Sequence, residues 1–400
     1  MNLSKYFSSA IFFNSIFIFC LFNSISLQAF PALSSTRIAF FLMLIGFFIV
    51  FIFNNKRRQE VPSSYYAFSL LVVFLGFFNF LVSLLSGVDL TQASRLLNFF
   101  IITLVGAILI SNLFDETSFH TYVVFASVIQ CIFVFLTYTN QSLTFFIYQI
   151  LDTSNNFGDS LERAPGLSSS GGAFLSVVIA FGAFSICRLS QLKYSWWHLP
   201  ALLIIIGANF IVARTGVILS LIALFCYFFM VSGRRFDLKS ILVLFLLVIF
   251  AWPYIFERLS ENEQFLSYTS NWALSMFNGE DKTLSILLSM GVPDFSAMQF
   301  IFGGGGVSLT DGSNASGSDV GYLQSLYAMG IPITFVFYFG FMYILMKFNQ
   351  NDKLFSLPSV LIFSMFIIEL KEPFIFKYSL PLYVCSFLML KLKSENKKND

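Results

Sequence analysis

The chain has 400 residues, 57% of them hydrophobic and only 11% charged, with 55 Phe and a formal net charge of +2. A soluble domain carries about 25% charged residues, so a chain with a mean hydropathy of +0.80 cannot cover itself against water, and a soluble globular enzyme is excluded. The basic residues are scattered among short loops rather than clustered, which excludes a nucleic-acid binder.

A bilayer core takes about 20 apolar residues as helix. Taken in order, such runs fall at 8–28, 38–53, 65–86, 96–111, 119–138, 171–187, 197–212, 217–231, 241–256, 321–346, 357–370 and 374–390. The predicted fold is therefore an all-α polytopic membrane protein, one integral membrane domain over 1–400, with about twelve transmembrane helices. The first run follows Lys5 and lacks a small-x-small cleavage site, so it reads as an uncleaved span. From His198 to Ser232 the chain is apolar except at Asn209 and around Arg214. A single helix of that length would overshoot the bilayer at about 1.5 Å per residue, so two short helices meeting at a tight turn with Arg214 at its tip are expected.

Lys and Arg retained on the cytoplasmic side set the orientation. With both termini inside, eight of the 23 basic residues fall outside: Arg37, Arg95, Arg163, Arg214, Arg258, Lys282, Lys371 and Lys377. The clusters at Arg188/Lys193 and Arg234/Arg235/Lys239 both want the cytoplasm, which requires an even number of crossings between them and favours the hairpin. Two sizeable loops then lie outside, 140–170 and 257–320. Residues 144–151 in the first are apolar enough to lie along the interface. In the second, 265–277 and 294–302 read as short amphipathic helices, the latter capped by Asp294. The five cysteines sit in or beside apolar runs, so no disulfide framework is implied.

The candidates for chemistry gather on the outer face. Arg163 precedes a span in Glu162-Arg163-Ala164-Pro165-Gly166-Leu167, Arg214 caps the hairpin, and Arg258 opens the large loop. An arginine at a span end is costly unless it has a partner or a use; lipid phosphate is the bland alternative. Three guanidinium groups on one leaflet suit a diphosphate, which they clamp bidentately. Asp319 and Gln324, in Ser318-Asp319-Val320-Gly321-Tyr322-Leu323-Gln324, are placed to face the bundle where the large loop re-enters the membrane; alternatively Asp319 simply caps the tenth span. The Gly303–Gly306 run lacks the Lys and the strand–turn–helix setting of a nucleotide loop and reads as a flexible element allowing close approach of chain and sugar. Glu369, Lys371 and Glu372 read as a mutually paired turn. Asn314-Ala315-Ser316 is a weak sequon match. His120 and His198 fall near the cytoplasmic side, leaving no outward histidine for a base or zinc site.

In layout, and in Arg163-Ala164-Pro165-Gly166-Leu167, Ala213-Arg214-Thr215-Gly216 and Phe302–Gly306 leading to 318–324 and Gly330, the chain resembles the O-antigen polymerase (Wzy) family, within the wider group of polysaccharide polymerases and O-antigen ligases. It departs from the Arg-x10-Gly spacing of some members, since the residue eleven beyond Arg163 is Phe174. Ligases are expected to carry an outward histidine, so polymerase is favoured over ligase. The resemblance implies glycosyl transfer on the periplasmic face of the bacterial inner membrane. A hydroxyl of one undecaprenyl-diphosphate-linked oligosaccharide attacks the anomeric carbon of the growing chain and releases its undecaprenyl diphosphate. It implies that Arg163, Arg214 and Arg258 stabilise the leaving diphosphate and that Asp319 is the base, with Glu162 or Glu369 as substitutes. Gly166, Tyr322 and Gln324 join Arg163 and Glu162 as expected substrate contacts. No cofactor, metal or ATP is expected, and a chain-length regulator is an expected partner. The rival class is a flippase for the same lipid, though such transporters have short loops and internal halves, and no half-to-half similarity is visible here.

Overall fold

The computed structural model describes residues 9–53, 61–152, 166–231, 295–309, 313–350 and 355–399. Within these, five helices are long and apolar enough to cross a membrane, and the protein is predominantly helical. The expected span at 241–256, the amphipathic stretch at 265–277 and Asp294 lie outside the described residues. The chain divides into two compact units, one of 1–39 and 117–285, the other of 40–116 and 286–400.

The first unit is built around α7 (Gly172–Leu192), whose apolar window is 83% buried. It holds α1 (Ser9–Phe22), α5 (from Thr117 of Glu116–Thr139), α6 (Gln141–Ile150), α8 (His198–Val212) and α9 (Arg214–Cys226, continued as π-helix over Tyr227–Val231). The expected hairpin is present. Asn209 Nδ2 donates to Ser220 Oγ at 2.7 Å, whereas eleven residues of one straight helix would separate the two by about 16 Å. The break falls at Ala213, with extended φ −167° and ψ 150°. Small residues let these helices approach: a Cβ on Gly182 would lie 2.5 Å from Ser127 Cβ, and one on Gly216 would lie 2.5 Å from Ser176 Cβ. Such contacts supply packing where lipid removes the hydrophobic drive.

The first expected span is too long. It ends at Phe22, and the chain turns into a hairpin of β1 (Ser26–Leu27) and β2 (Phe30–Ser34). This hairpin anchors both described ends of the 140–170 loop. Gln28 N–H donates to Ile150 O at 2.9 Å, Asp152 N–H to Ser26 O at 2.8 Å, and Ser26 N–H to Ser169 Oγ at 2.7 Å. The interfacial stretch expected at 144–151 is α6, begun by Asn140, whose side chain accepts the Leu143 N–H.

The second unit holds α3 (Ser63–Ser86), α4 (Thr91–Leu113), α10 (Ala297–Phe302), α11 (Gly321–Met329), α12 (Ile331–Phe348), α13 (Leu357–Ile368) and α14 (Ser379–Asn399). The helix α2 (Ser35–Phe53) joins the two units in sequence. The core of the second unit is aromatic: Phe99 lies 5.0 Å from Phe341 and 5.3 Å from Phe337, and Phe337 stacks on Phe376 at 5.1 Å. Offset and edge-on rings add about 0.5–1.5 kcal/mol per pair beyond burial. Helix α4 carries a π-helical stretch at Phe99–Val105; its inserted residue shifts the register, and Tyr65 OH takes up Leu104 O at 2.8 Å.

Two expectations are corrected here. The span at 321–346 is two helices, because Gly330 adopts φ 78° and Pro332 starts a new first turn. Ser325 Oγ meets Tyr338 OH at 3.0 Å, so α11 folds back on α12 rather than continuing it. The 294–302 helix is shorter and is capped by Ser296 in a capping box with Gln299, not by Asp294.

Candidate functional site

The segment that re-enters the apolar bundle at Ser318–Gln324 meets α4 and the turn after α13. Gln324 is buried, and its Nε2 donates to Ser318 O at 3.2 Å and to Asp319 O at 3.4 Å. Its Oε1 accepts Arg95 Nη1 at 3.1 Å. Arg95 thus spends one of its five donors on a neutral partner. One helical turn earlier, Gln92 is fully buried with both amide atoms unpaired among the described residues. Buried amides are normally satisfied, so this face of α4 offers hydrogen bonds that the described residues do not consume.

Glu369 is completely buried. Its Oε1 accepts Tyr338 OH at 2.7 Å and its Oε2 accepts Ile375 N–H at 2.7 Å. Burial pushes the carboxyl from 4.5 up to about 7, against the opposing pull of those two hydrogen bonds and of the charges on Arg95 and Lys377. Tyr322 lies against Tyr338 with ring centroids 4.7 Å apart and donates its hydroxyl to Phe366 O at 2.8 Å. Gly321 is glycine for a steric reason: its N–H donates to Glu369 O at 3.0 Å, and a Cβ there would lie 2.6 Å from Glu369 Oε1. The arrangement is a cation with spare donors, a carboxyl that titrates near neutrality, and two tyrosines, gathered where the re-entering segment begins.

Asp319 does not cap α11. The cap position is Val320, without a side-chain bond, and the exposed Asp319 accepts Asn314 Nδ2 at 2.6 Å. That bond ties the two ends of a tight loop and occupies the amide of the sequon asparagine. Glu369 is not part of a mutually paired turn either; burial turns it inward, and Glu372 pairs instead with Lys377 at 2.5 Å. The glycine run is a packed strap, not an open flexible element. Gly304 N–H donates to Tyr327 O at 2.7 Å and Gly305 N–H to Ala328 O at 3.0 Å. Val307 and Ser308 N–H both reach Asp89 Oδ1, at 2.7 and 3.3 Å. A Cβ on Gly305 (φ 85°) would lie 2.9 Å from Ser83 Cα. The close approach is of chain to chain. Burial raises the Asp89 carboxyl, but the bonds from Thr91, Val307 and Ser308 outweigh it and hold the group below its ordinary value.

Of the expected arginines, Arg163 and Arg258, with Glu162, lie outside the described residues. Arg214 is half-buried as the first residue of α9, in the first unit. Gly166 also belongs to that unit, with φ 55°, and is packed so that a Cβ would lie 2.7 Å from Gln130 Nε2; its place is structural. His120 and His198 are buried and held by Ser185 and Ser190, at 3.1 and 2.6 Å. Among the described residues, no three His, Cys, Asp or Glu side chains come together as metal ligands would.

The residue that sequence reasoning passed over is Arg95. It precedes the apolar run expected at 96–111, and the available signal is Gln92 and Arg95, polar residues three apart on one helical face. No family model, curated protein or solved structure matches the chain.

Proposed function

We propose that the chain is a polysaccharide polymerase of the bacterial inner membrane. It would join undecaprenyl-diphosphate-linked oligosaccharide units on the periplasmic face, with both termini in the cytoplasm. The observation that carries the reading is the meeting of Arg95, Gln324 and buried Glu369 at the re-entering segment, on the side that the Lys and Arg distribution assigns to the periplasm. In the reaction an acceptor hydroxyl forms a new bond to the anomeric carbon as the anomeric carbon–oxygen bond to diphosphate breaks. The hydroxyl proton passes to a carboxylate, and the negative charge stays on the departing lipid diphosphate. Arg95 supplies donors to that charge, which a water-poor setting strengthens. Glu369 changes charge in the neutral range, as a general base must; Asp319, exposed at the entry, is the second carboxylate. Arg163, Arg214 and Arg258 keep the role that the resemblance implies, to be tested one at a time.

The test is chain growth from purified lipid-linked units by the full protein in detergent. Arg95→Ala is expected to lower kcat/KM by about 10²–10³, the scale of losing one preorganised donor. Chain growth close to wild type in that variant would remove the observation on which the reading stands.

A flippase for the same lipid is the second reading, and Glu369 itself favours it: a carboxyl buried where membrane helices meet also suits a proton-coupled carrier. Deletion in cells separates the two. Loss of a polymerase leaves single repeat units on the surface lipopolysaccharide, whereas loss of a flippase traps the units inside.

A further inference from the structure

A cavity of about 10 Å3 lies in the first unit, where the end of α1 meets α5 and α7. Three polar side chains line it, Asn23, Ser127 and Gln130; the rest of its wall is apolar and includes Phe22 and Phe181. Asn23 is 2% exposed and Gln130 is wholly buried. Asn23 spends its Nδ2 on Phe19 O at 3.0 Å, at the last turn of α1, which leaves its Oδ1 without a partner among the described residues. Neither amide atom of Gln130 is paired among the described residues. Buried polar atoms are normally bonded, and here three unbonded ones belong to two side chains that face one small space.

We propose that this cavity binds a single water molecule, which bridges Asn23 to Gln130 and fixes where the chain leaves α1. The size admits one, since a water needs about 10–15 Å3 and two to four polar partners. It donates to Asn23 Oδ1 and answers either atom of the Gln130 amide, donating to Oε1 or accepting from Nε2. The Ser127 hydroxyl, a donor and an acceptor, is the third partner. A metal cation does not fit: Ca2+ and Mg2+ take about six to eight oxygens, carboxylates among them, and no charged side chain lines the wall. A dry cavity does not fit either, since empty ones are apolar. The bridge has a mechanical consequence. Asn23 O accepts Ser35 Oγ at 2.6 Å, and between these two residues lies the β1–β2 hairpin that anchors the 140–170 loop. Gly166, at the described end of that loop, closes on the same glutamine, where a Cβ would lie 2.7 Å from Gln130 Nε2. The water thus ties the neck of the hairpin to the side chain that the returning loop packs against. This site needs only the fold and is independent of the polymerase reading.

The test exposes the full chain, in nanodiscs and oxygen-18 water, to a brief X-ray pulse that turns water into hydroxyl radicals where it sits and oxidises the side chains beside it. Phe22 and Phe181, each 2% exposed, are expected to take up label several-fold faster than Phe184 and Phe337, which are as deeply buried and do not line the cavity. Gln130→Met keeps the length of the side chain and removes both polar atoms, so it should bring Phe22 and Phe181 down to the rate of the other two. Gln130→Met and Asn23→Leu should each lower Tm, and the double variant should lose less than the two losses added, because the residues share one partner. Label at Phe22 and Phe181 no faster than at Phe184 and Phe337 overturns the proposal, and this wild-type measurement stands even if a variant fails to fold. An undiminished label in Gln130→Met, or strictly additive losses of Tm, overturns it as well. Non-additive losses without the label would mean that the two amides pair directly and that no water is bound.

Discussion

Replacing Glu369 with Gln keeps the shape of the side chain and removes its charge. Burial raises this carboxyl from 4.5 to about 7 in the folded protein. Each pKa unit is worth about 1.4 kcal/mol, so holding Glu369 ionised costs the fold roughly 3 kcal/mol relative to the unfolded chain. The sign follows from which state keeps its proton. Below pH 4.5 both states are protonated and the fold bears no penalty. Between 4.5 and about 7 the unfolded chain releases its proton first, so stability falls as pH rises through that window and levels off above it. Gln can accept Ile375 N–H through its carbonyl and donate to the Tyr338 oxygen, whose own proton then turns to Ser325. One amide N–H finds an acceptor and the second does not, so part of the relief from the lost charge is offset by that unpaired donor. Thermal unfolding of the detergent-solubilised protein, scanned from pH 4.5 to 8, should show Tm falling across this window in the wild type and a flatter profile in Glu369→Gln. The variant should match or exceed the wild type above pH 7.5. Identical slopes in the two proteins would mean that the carboxyl is not disfavoured where it sits, and the argument from burial would fail.

The acid limb should belong to Asp89. Its folded value lies below the ordinary 3.8, so the stability it supplies is present above that value and lost as pH falls through the folded one. Asp89→Ala should lose that limb and, by leaving two strap N–H groups without their acceptor, lower stability at pH 7 by about 1–3 kcal/mol, read as a fall in Tm. Gly305→Ala meets both φ 85° and a contact at 2.9 Å with the α3 backbone; it should cost about 1–3 kcal/mol, and an unchanged Tm would show that the strap is loose after all. The α8–α9 hairpin predicts that cysteines placed at Asn209 and Ser220 are joined by a short bifunctional thiol crosslinker, since their native side chains meet at 2.7 Å. In one continuous helix, at about 16 Å, they could not be.

What the sequence made legible is where the long apolar helices run. The runs at 65–86 and 119–138 match α3 and α5 to within a few residues. The hairpin at Arg214 followed from two basic clusters that needed the same side. Where the reading slipped, apolar composition concealed a change of direction. The strands at Ser26–Leu27 and Phe30–Ser34 are written in residues that a span would also use, and Gly330 reverses the chain inside an otherwise unbroken hydrophobic run. The π-helical stretch at Phe99–Val105 leaves no compositional trace, because it is a matter of hydrogen-bond register.

The site exposes a deeper reason for what was missed. An apolar run ending in a charged residue fixes one coordinate, the position along the membrane normal, and is silent about the two in the plane. Arg95 and Gln324 are 229 residues apart and Asp89 and Val307 are 218 apart, yet each pair shares a hydrogen bond. An arginine turned toward lipid phosphate and one turned toward a buried glutamine have the same local sequence. Lateral position is decided by packing, here by which residues are small enough to let backbones touch. Gly305 against Ser83 and Gly321 against Glu369 draw the strap and α11 onto α3 and the turn after α13, and only then does Arg95 have a partner. The glycines that read as freedom are thus the residues that locate the charge, so Gly321→Ala should disturb the Glu369 titration before it disturbs any helix. A pH profile unchanged in that variant would break the link between the packing and the site.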